Sequence, residues 1–148
     1  MIEVKTRGGR GETVKRRMPY DFDSRRRLDP DGRHFAAAHV THLGDVVELI
    51  SALTTTYERS TLLDVGARCR VTCDAGLVCA LPDGGAERLR HHDIVETKSP
   101  GPATLFDRSL WALGCRPVSI SKYCVGLAAL RPELPSNRWC RTLRRHFR

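Results

Sequence analysis

A carboxylate and an ammonium stand two residues apart in Val95-Glu96-Thr97-Lys98, and Ser99-Pro100-Gly101 follows at once. Side chains alternate faces along a strand, so Glu96 and Lys98 share one face while Val95 and Thr97 take the other. The same parity recurs around basic residues in Glu3-x-Lys5-x-Arg7, Thr13-x-Lys15-x-Arg17, Tyr57-x-Arg59-x-Thr61 and Arg68-x-Arg70-x-Thr72. Opposite them lie residues such as Ile2/Val4 and Cys69/Val71/Cys73. On a common sheet these strands would raise one cationic wall.

Isolated charges lose too much solvation to be buried unpaired. Such a wall therefore faces water or a polyanion. With many phosphates against it, several Arg and Lys groups are satisfied together, and the lone carboxylate Glu96 is then most simply a ligand for Mg2+ or Mn2+. A solvated outer face of an antiparallel sheet is the alternative meaning of the same alternation.

The chain has 148 residues, enough for one domain with its own core. Lys and Arg number 25 against 17 Asp and Glu, a net charge of +8, and the isoelectric point near 9.6 points to acidic partners: nucleic acid, nucleotides, polyphosphate or anionic lipid. No apolar run approaches the roughly 20 residues that cross a bilayer, and no signal-peptide core opens the sequence. A cytoplasmic protein is expected. None of the six cysteines is spaced C-x-x-C, which disfavours a zinc site, and Cys69 and Cys73 read as small core residues.

The elements that must position these side chains come in two parts, a sheet part over about residues 1–98 and a helical part over about 102–148. Residues 2–7 and 12–18 read as strands joined by Gly8-Gly9-Arg10-Gly11. The stretch from Asp21 to Gly32, with Arg25-Arg26-Arg27, reads as a polar loop. Val40, Leu43, Val47 and Ile50 predict a helix beginning at His39. Strands are expected at 53–63, 67–73, 77–81, 88–92 and 94–98, with a hairpin at Pro82-Asp83-Gly84-Gly85 and His91-His92 at a strand edge. Phe106, Leu110 and Leu113 predict a helical stripe ended by Gly114. Ser121 is an N-cap candidate for a helix stopped near Pro132. A last helix from Ser136-Asn137 carries Trp139, Leu143 and Phe147 on one face and Arg138, Arg141, Arg145 and Arg148 on the other.

Taken in order, Glu3-Val4-Lys5, Gly11-Glu12-Thr13-Val14-Lys15-Arg16-Arg17, Tyr57-Glu58-Arg59, Arg68-Cys69-Arg70-Val71-Thr72-Cys73-Asp74, Val95-Glu96-Thr97-Lys98 and Ser119-Ile120-Ser121-Lys122-Tyr123 resemble the VTC (vacuolar transporter chaperone) polyphosphate-polymerase domain, a branch of the CYTH-like triphosphate tunnel superfamily. The resemblance implies an α+β fold: an antiparallel β-sheet forming all or part of a tunnel barrel, with flanking helices and a C-terminal helical segment, over 1–148 as a single domain. It implies Lys5, Lys15, Arg59, Arg70 and Lys122 as phosphate ligands and Glu96 as the ligand of Mn2+ or Mg2+. Catalysis would rest on Lys122 and Glu96. Tyr57 and Ser121 sit in matching motifs, and Arg17 and Lys98 are second-rank candidates.

The implied activity is metal-assisted phosphoryl transfer from ATP or another nucleoside triphosphate to polyphosphate. Family members carry an N-terminal lysine strand and an Arg-x-Arg strand ahead of the Glu-x-Lys strand. Here Met1 lies almost on that strand, so an N-terminally incomplete tunnel, a missing N-terminal half or a homo-oligomer that completes the barrel is expected. A non-catalytic polyphosphate- or nucleotide-binding fragment is the alternative. A basic nucleic-acid-binding protein is a third class, and aromatic residues at 6% speak against base-stacking platforms.

Overall fold

The computed structural model describes all residues except 22, 24–26, 41–48, 67 and 148. The chain forms two compact units, Met1–Ala52 and Leu53–Arg148.

The first unit opens with strands β1 (Ile2–Arg7) and β2 (Thr13–Met18), paired antiparallel in the expected hairpin with Glu3 opposite Arg17 and Lys5 opposite Lys15. Ile2, Val4, Val14 and Met18 are half-buried, whereas Lys5, Arg7, Lys15 and Arg17 are exposed. Helix α1 (Pro30–His39) follows. Asp29 starts it by accepting the Gly32 N–H at 2.7 Å, and Pro30 occupies a first-turn position where its missing N–H costs nothing. This corrects two sequence expectations. The Asp29-Pro30-Asp31-Gly32 stretch is a helix start rather than loop, and His39 ends a helix instead of beginning one, because Val40 turns extended at φ −117°. Ile50 forms an isolated bridge with Arg27; Leu43, Val47, Arg25 and Arg26 lie outside the described residues.

In the second unit, β3 (Thr54–Asp64), β4 (Cys69–Ala80), β5 (Ala86–Arg88) and β6 (Ile94–Lys98) form a four-stranded antiparallel sheet. β4 is central, with β3 on one side and β5 and β6 along the other. Where two strands were expected at 67–73 and 77–81, one continuous strand runs. Its Asp74-Ala75-Gly76-Leu77 stretch holds a bulge opposite Tyr57, and Gly76 takes φ +62°, a conformation open to glycine at little cost. His91 and His92 lie beyond the short β5 and outside any strand, because His91 has φ +58°.

Helix α2 (Leu105–Ala112) begins with a reciprocal Thr104/Asp107 capping box. Leu110 is half-buried, but Leu113 is 79% exposed, so the expected apolar stripe is largely solvated. Helix α3 (Lys122–Leu130) is capped by Ser121, whose hydroxyl accepts from Cys124 N–H. A 3-10 turn at Asn137–Trp139 leads into α4 (Cys140–His146).

Two buried clusters hold this unit together. Leu77, Cys79 and Leu89 pack with Leu53, Tyr57, Ile94, Leu130 and Phe147. Val125, Ala128 and Leu143 pack with Ile120, Trp139 and, again, Phe147. Gly126 lets α3 approach the sheet, since a Cβ there would come within 2.9 Å of Cys79 Cβ and 3.3 Å of Leu53. Cys69 is buried and Cys73 half-buried, in keeping with their core reading, and all six cysteines are free.

Both sheets are open: among the described residues no closed barrel forms, and β3 has no strand partner on its outer side. The class is α+β, and the expected cationic strands divide between two sheets instead of sharing one. Among the described residues no helix is long and apolar enough to cross a membrane.

Candidate functional site

Strand register assembles the site in rows. Arg59, Asp74 and Ile94 lie side by side, then Thr61, Thr72 and Glu96, then Leu63, Arg70 and Lys98. Cross-strand neighbours in register point to the same face, so Arg59, Asp74, Thr72, Glu96, Arg70 and Lys98 share one. The bulge changes the parity of β4, and Leu77 and Cys79 continue on that face beside Tyr57 and Leu53. The face is thus polar at one end and apolar at the other. α3 covers the apolar end and brings Lys122, its first residue, to the boundary.

Asp74 stands at this boundary and is 1% exposed. Arg59 grips its carboxylate side-on, Nε donating to Oδ1 at 2.5 Å and Nη2 to Oδ2 at 2.7 Å. Lys122 Nζ donates to the same Oδ2. The Tyr57 ring lies beneath both cations, its centroid 5.1 Å from Arg59 Cζ and 4.5 Å from Lys122 Nζ. The Arg59 hydrogen bonds hold the Asp74 carboxyl below the usual carboxylate range against the opposing effect of burial, and Lys122 adds to them. Asp74 in turn raises the Arg59 guanidinium further above its ordinary value. A lysine at a helix N-terminus meets the positive end of the helix dipole, and the Asp74 charge offsets that conflict.

Glu96 and Lys98 form an ion pair at 2.9 Å with both side chains about half exposed. Arg70 is exposed and has no ion pair among the described residues. Thr72, between Arg70 and Asp74 along β4 and directly across from Glu96, is 7% exposed, and its hydroxyl has no hydrogen-bond partner. On the opposite face Thr97 donates to Asp107 at 2.6 Å, tying the strand to the start of α2.

Of the residues picked out by sequence, Arg59, Arg70, Glu96 and Lys122, with Tyr57 and Lys98, come together here. Ser121 acts as the α3 cap. Lys5, Lys15 and Arg17 belong to the first unit, where Glu3 accepts from Arg17 at 2.5 Å and pairs with Lys5 at 3.1 Å. Those two partners hold the Glu3 carboxyl low. Lys15 has no ion pair among the described residues, and its cross-strand neighbour is the like-charged Lys5. Sequence reading missed Asp74 as a site residue. The available signal was parity, because Arg70-x-Thr72-x-Asp74 sets it on the Arg70 face.

No group of three or more His, Cys, Asp or Glu among the described residues could hold a metal ion by itself. A hard cation that takes one carboxylate and completes its shell with phosphate oxygens and water fits this face better than a protein-only cage would. On this face Glu96 offers a half-exposed carboxylate, paired with Lys98, and the Thr72 hydroxyl across from it is buried without a hydrogen-bond partner.

A family model described as the VTC domain matches residues 1–131. The chain belongs to the VTC domain family. Neither the curated proteins nor the solved structures yield a match. The VTC match takes in all of the first unit and the second as far as Arg131, so it includes Lys5, Lys15, Arg59, Arg70, Asp74, Glu96 and Lys122. Helix α4, with its arginines, lies beyond it.

Proposed function

We propose that this VTC domain binds polyphosphate and a nucleoside triphosphate such as ATP in the cytoplasm, and supports metal-assisted transfer of the terminal phosphoryl group from the nucleoside triphosphate to the polyphosphate chain, releasing the nucleoside diphosphate. The observation that carries the reading is the charge balance of one sheet face. Arg59, Arg70, Lys98 and Lys122 stand against only Asp74 and Glu96, which leaves two positive charges without a carboxylate. A chain of phosphates offers oxygens at several points and suits cations spread over three strands and a helix. Lys5 and Lys15, which stand in the first unit, are proposed as phosphate ligands on the strength of the family match over residues 1–131 alone, and a tunnel enclosing the polyphosphate belongs to the same proposal.

In the mechanism, Arg59 and Lys122 orient phosphate oxygens through the N–H groups that Asp74 leaves free. Arg70 neutralises charge further along the chain. Glu96 would hold Mg2+ or Mn2+, which would supply charge neutralisation at the transferring phosphoryl group when bound. Positioning and charge account for the chemistry, so no nucleophilic side chain is required.

Incubation with ATP and Mn2+, followed by detection of long-chain polyphosphate, tests the activity. Product formed by the wild type and abolished by Glu96→Gln is the expected result. A second reading, polyphosphate binding without catalysis, draws on Glu96 being the sole carboxylate on this face not locked by two cations. Tight tripolyphosphate binding with no product under any metal would select it.

A further inference from the structure

We propose that Asp74 is a positioning residue, which holds Arg59 and Lys122 in phosphate-binding geometry before any ligand arrives. This rests on the polyphosphate-binding reading above.

The geometry separates a clamp from a simple counter-charge. Arg59 has five N–H donors, and the side-on grip on Asp74 uses one from Nε and one from Nη2. Its Nη1 edge and one further Nη2 hydrogen stay available. Lys122 has three donors and gives one to Asp74, while its charge rests over the Tyr57 ring. Both cations are therefore fixed at one end and open at the other.

The carboxylate joins two elements far apart in sequence, since Arg59 lies 15 residues from Asp74 and Lys122 lies 48. It is also the only part of the cluster that is fully buried. Arg59 is 41% exposed and Lys122 21% in their side chains, against 1% for Asp74. Asp74 is thus shielded from a ligand and touches it only through the two cations. Without the carboxylate, both long side chains regain rotamers that phosphate binding must then freeze, which is the ordering cost a preorganised site avoids.

Charge and position make opposite predictions for one substitution. Asp74→Asn raises the net charge of the face by one, so a mere counter-charge, once neutralised, would free two cations and tighten polyanion binding. A positioning residue, once disabled, loosens it.

Calorimetric titration with tripolyphosphate, at a temperature where circular dichroism shows each variant folded, decides between them. The wild type binds, Asp74→Asn binds about tenfold more weakly, which corresponds to ~1.4 kcal/mol, and Asp74→Glu, which keeps the charge but moves it by one methylene, recovers part of the loss. An Asp74→Asn protein that binds as tightly as the wild type, or more tightly, overturns the proposal. Should Asp74→Asn fail to fold, Asp74→Glu decides alone: wild-type affinity overturns the proposal and weakened affinity supports it. Absence of binding by the wild type would refute the polyphosphate reading and this inference with it, whereas binding unaltered by either Asp74 change refutes this inference alone.

Discussion

Replacing Arg59 by Met keeps most of the side-chain volume and removes the two hydrogen bonds that hold Asp74. Removing one partner of a buried ion pair costs about 3–5 kcal/mol, most of it the penalty of the charge left behind. Here two facts lower the figure. Lys122 still pairs with Asp74, and Arg59 is itself 41% exposed, so part of its charge was already screened by solvent. About 2.5 kcal/mol at pH 7 is expected, or roughly 10–20 °C in melting temperature for a unit of this size.

The pH dependence carries the sharper test. Asp74 is held below its ordinary carboxylate range when folded, so its stabilisation is fully present above the unfolded value, about pH 3.9, and is lost as pH falls through the folded value. In Arg59→Met the folded carboxyl loses its main stabiliser and protonates earlier. The gap between wild type and variant should therefore narrow by about 1 kcal/mol between pH 7 and pH 3. Urea unfolding followed by tryptophan fluorescence measures it, because Trp111 and Trp139 both lie in the second unit. A gap below ~1 kcal/mol at pH 7, or one that stays constant with pH, would refute the role given to the Arg59–Asp74 pair.

Other changes probe separate parts of the account. Glu96→Gln should remove the Mn2+-dependent gain in melting temperature expected of the wild type with tripolyphosphate, yet shift metal-free stability by less than ~1 kcal/mol, because its pair with Lys98 is half exposed; a variant that keeps the full metal-dependent gain rules out Glu96 as the ligand. Gly126→Ala should cost about 1–3 kcal/mol in urea unfolding, since the new methyl meets Cys79 and Leu53, and a neutral result would mean that α3 does not dock as described. Thr72→Val should leave ligand-free stability unchanged or slightly raised, because it removes a buried hydroxyl without a partner, and a loss above ~1 kcal/mol would show that the hydroxyl is already satisfied.

Parity made much of the face readable. Alternation is local, and once β3, β4 and β6 pair, Arg59, Arg70, Glu96 and Lys98 fall on one side, as Tyr57-x-Arg59 and Glu96-x-Lys98 foretold. The Ser121 cap and the first hairpin were equally local. The β4 bulge was not legible, because a glycine in Asp74-Ala75-Gly76-Leu77 marks a turn as readily as a bulge within one strand. Helix α1 was missed for a related reason: Asp29-Pro30-Asp31-Gly32 has turn composition, and the Asp29 side chain bonding to Gly32 N–H, with Pro30 in the first turn, marks it as a helix start. Asp74 escaped because parity sets it on the Arg70 face without naming its partners, which lie 15 and 48 residues away.

Phosphate binding by the sheet face is the central claim, and a calorimetric salt series compares it directly between the wild type and Arg70→Ala/Lys122→Ala. The wild type should bind polyphosphate with an affinity that falls steeply as salt rises, and the double variant should bind at least tenfold more weakly, ~1.4 kcal/mol or more, with a shallower dependence on salt. Equal affinity and equal salt dependence for the two proteins would contradict the account.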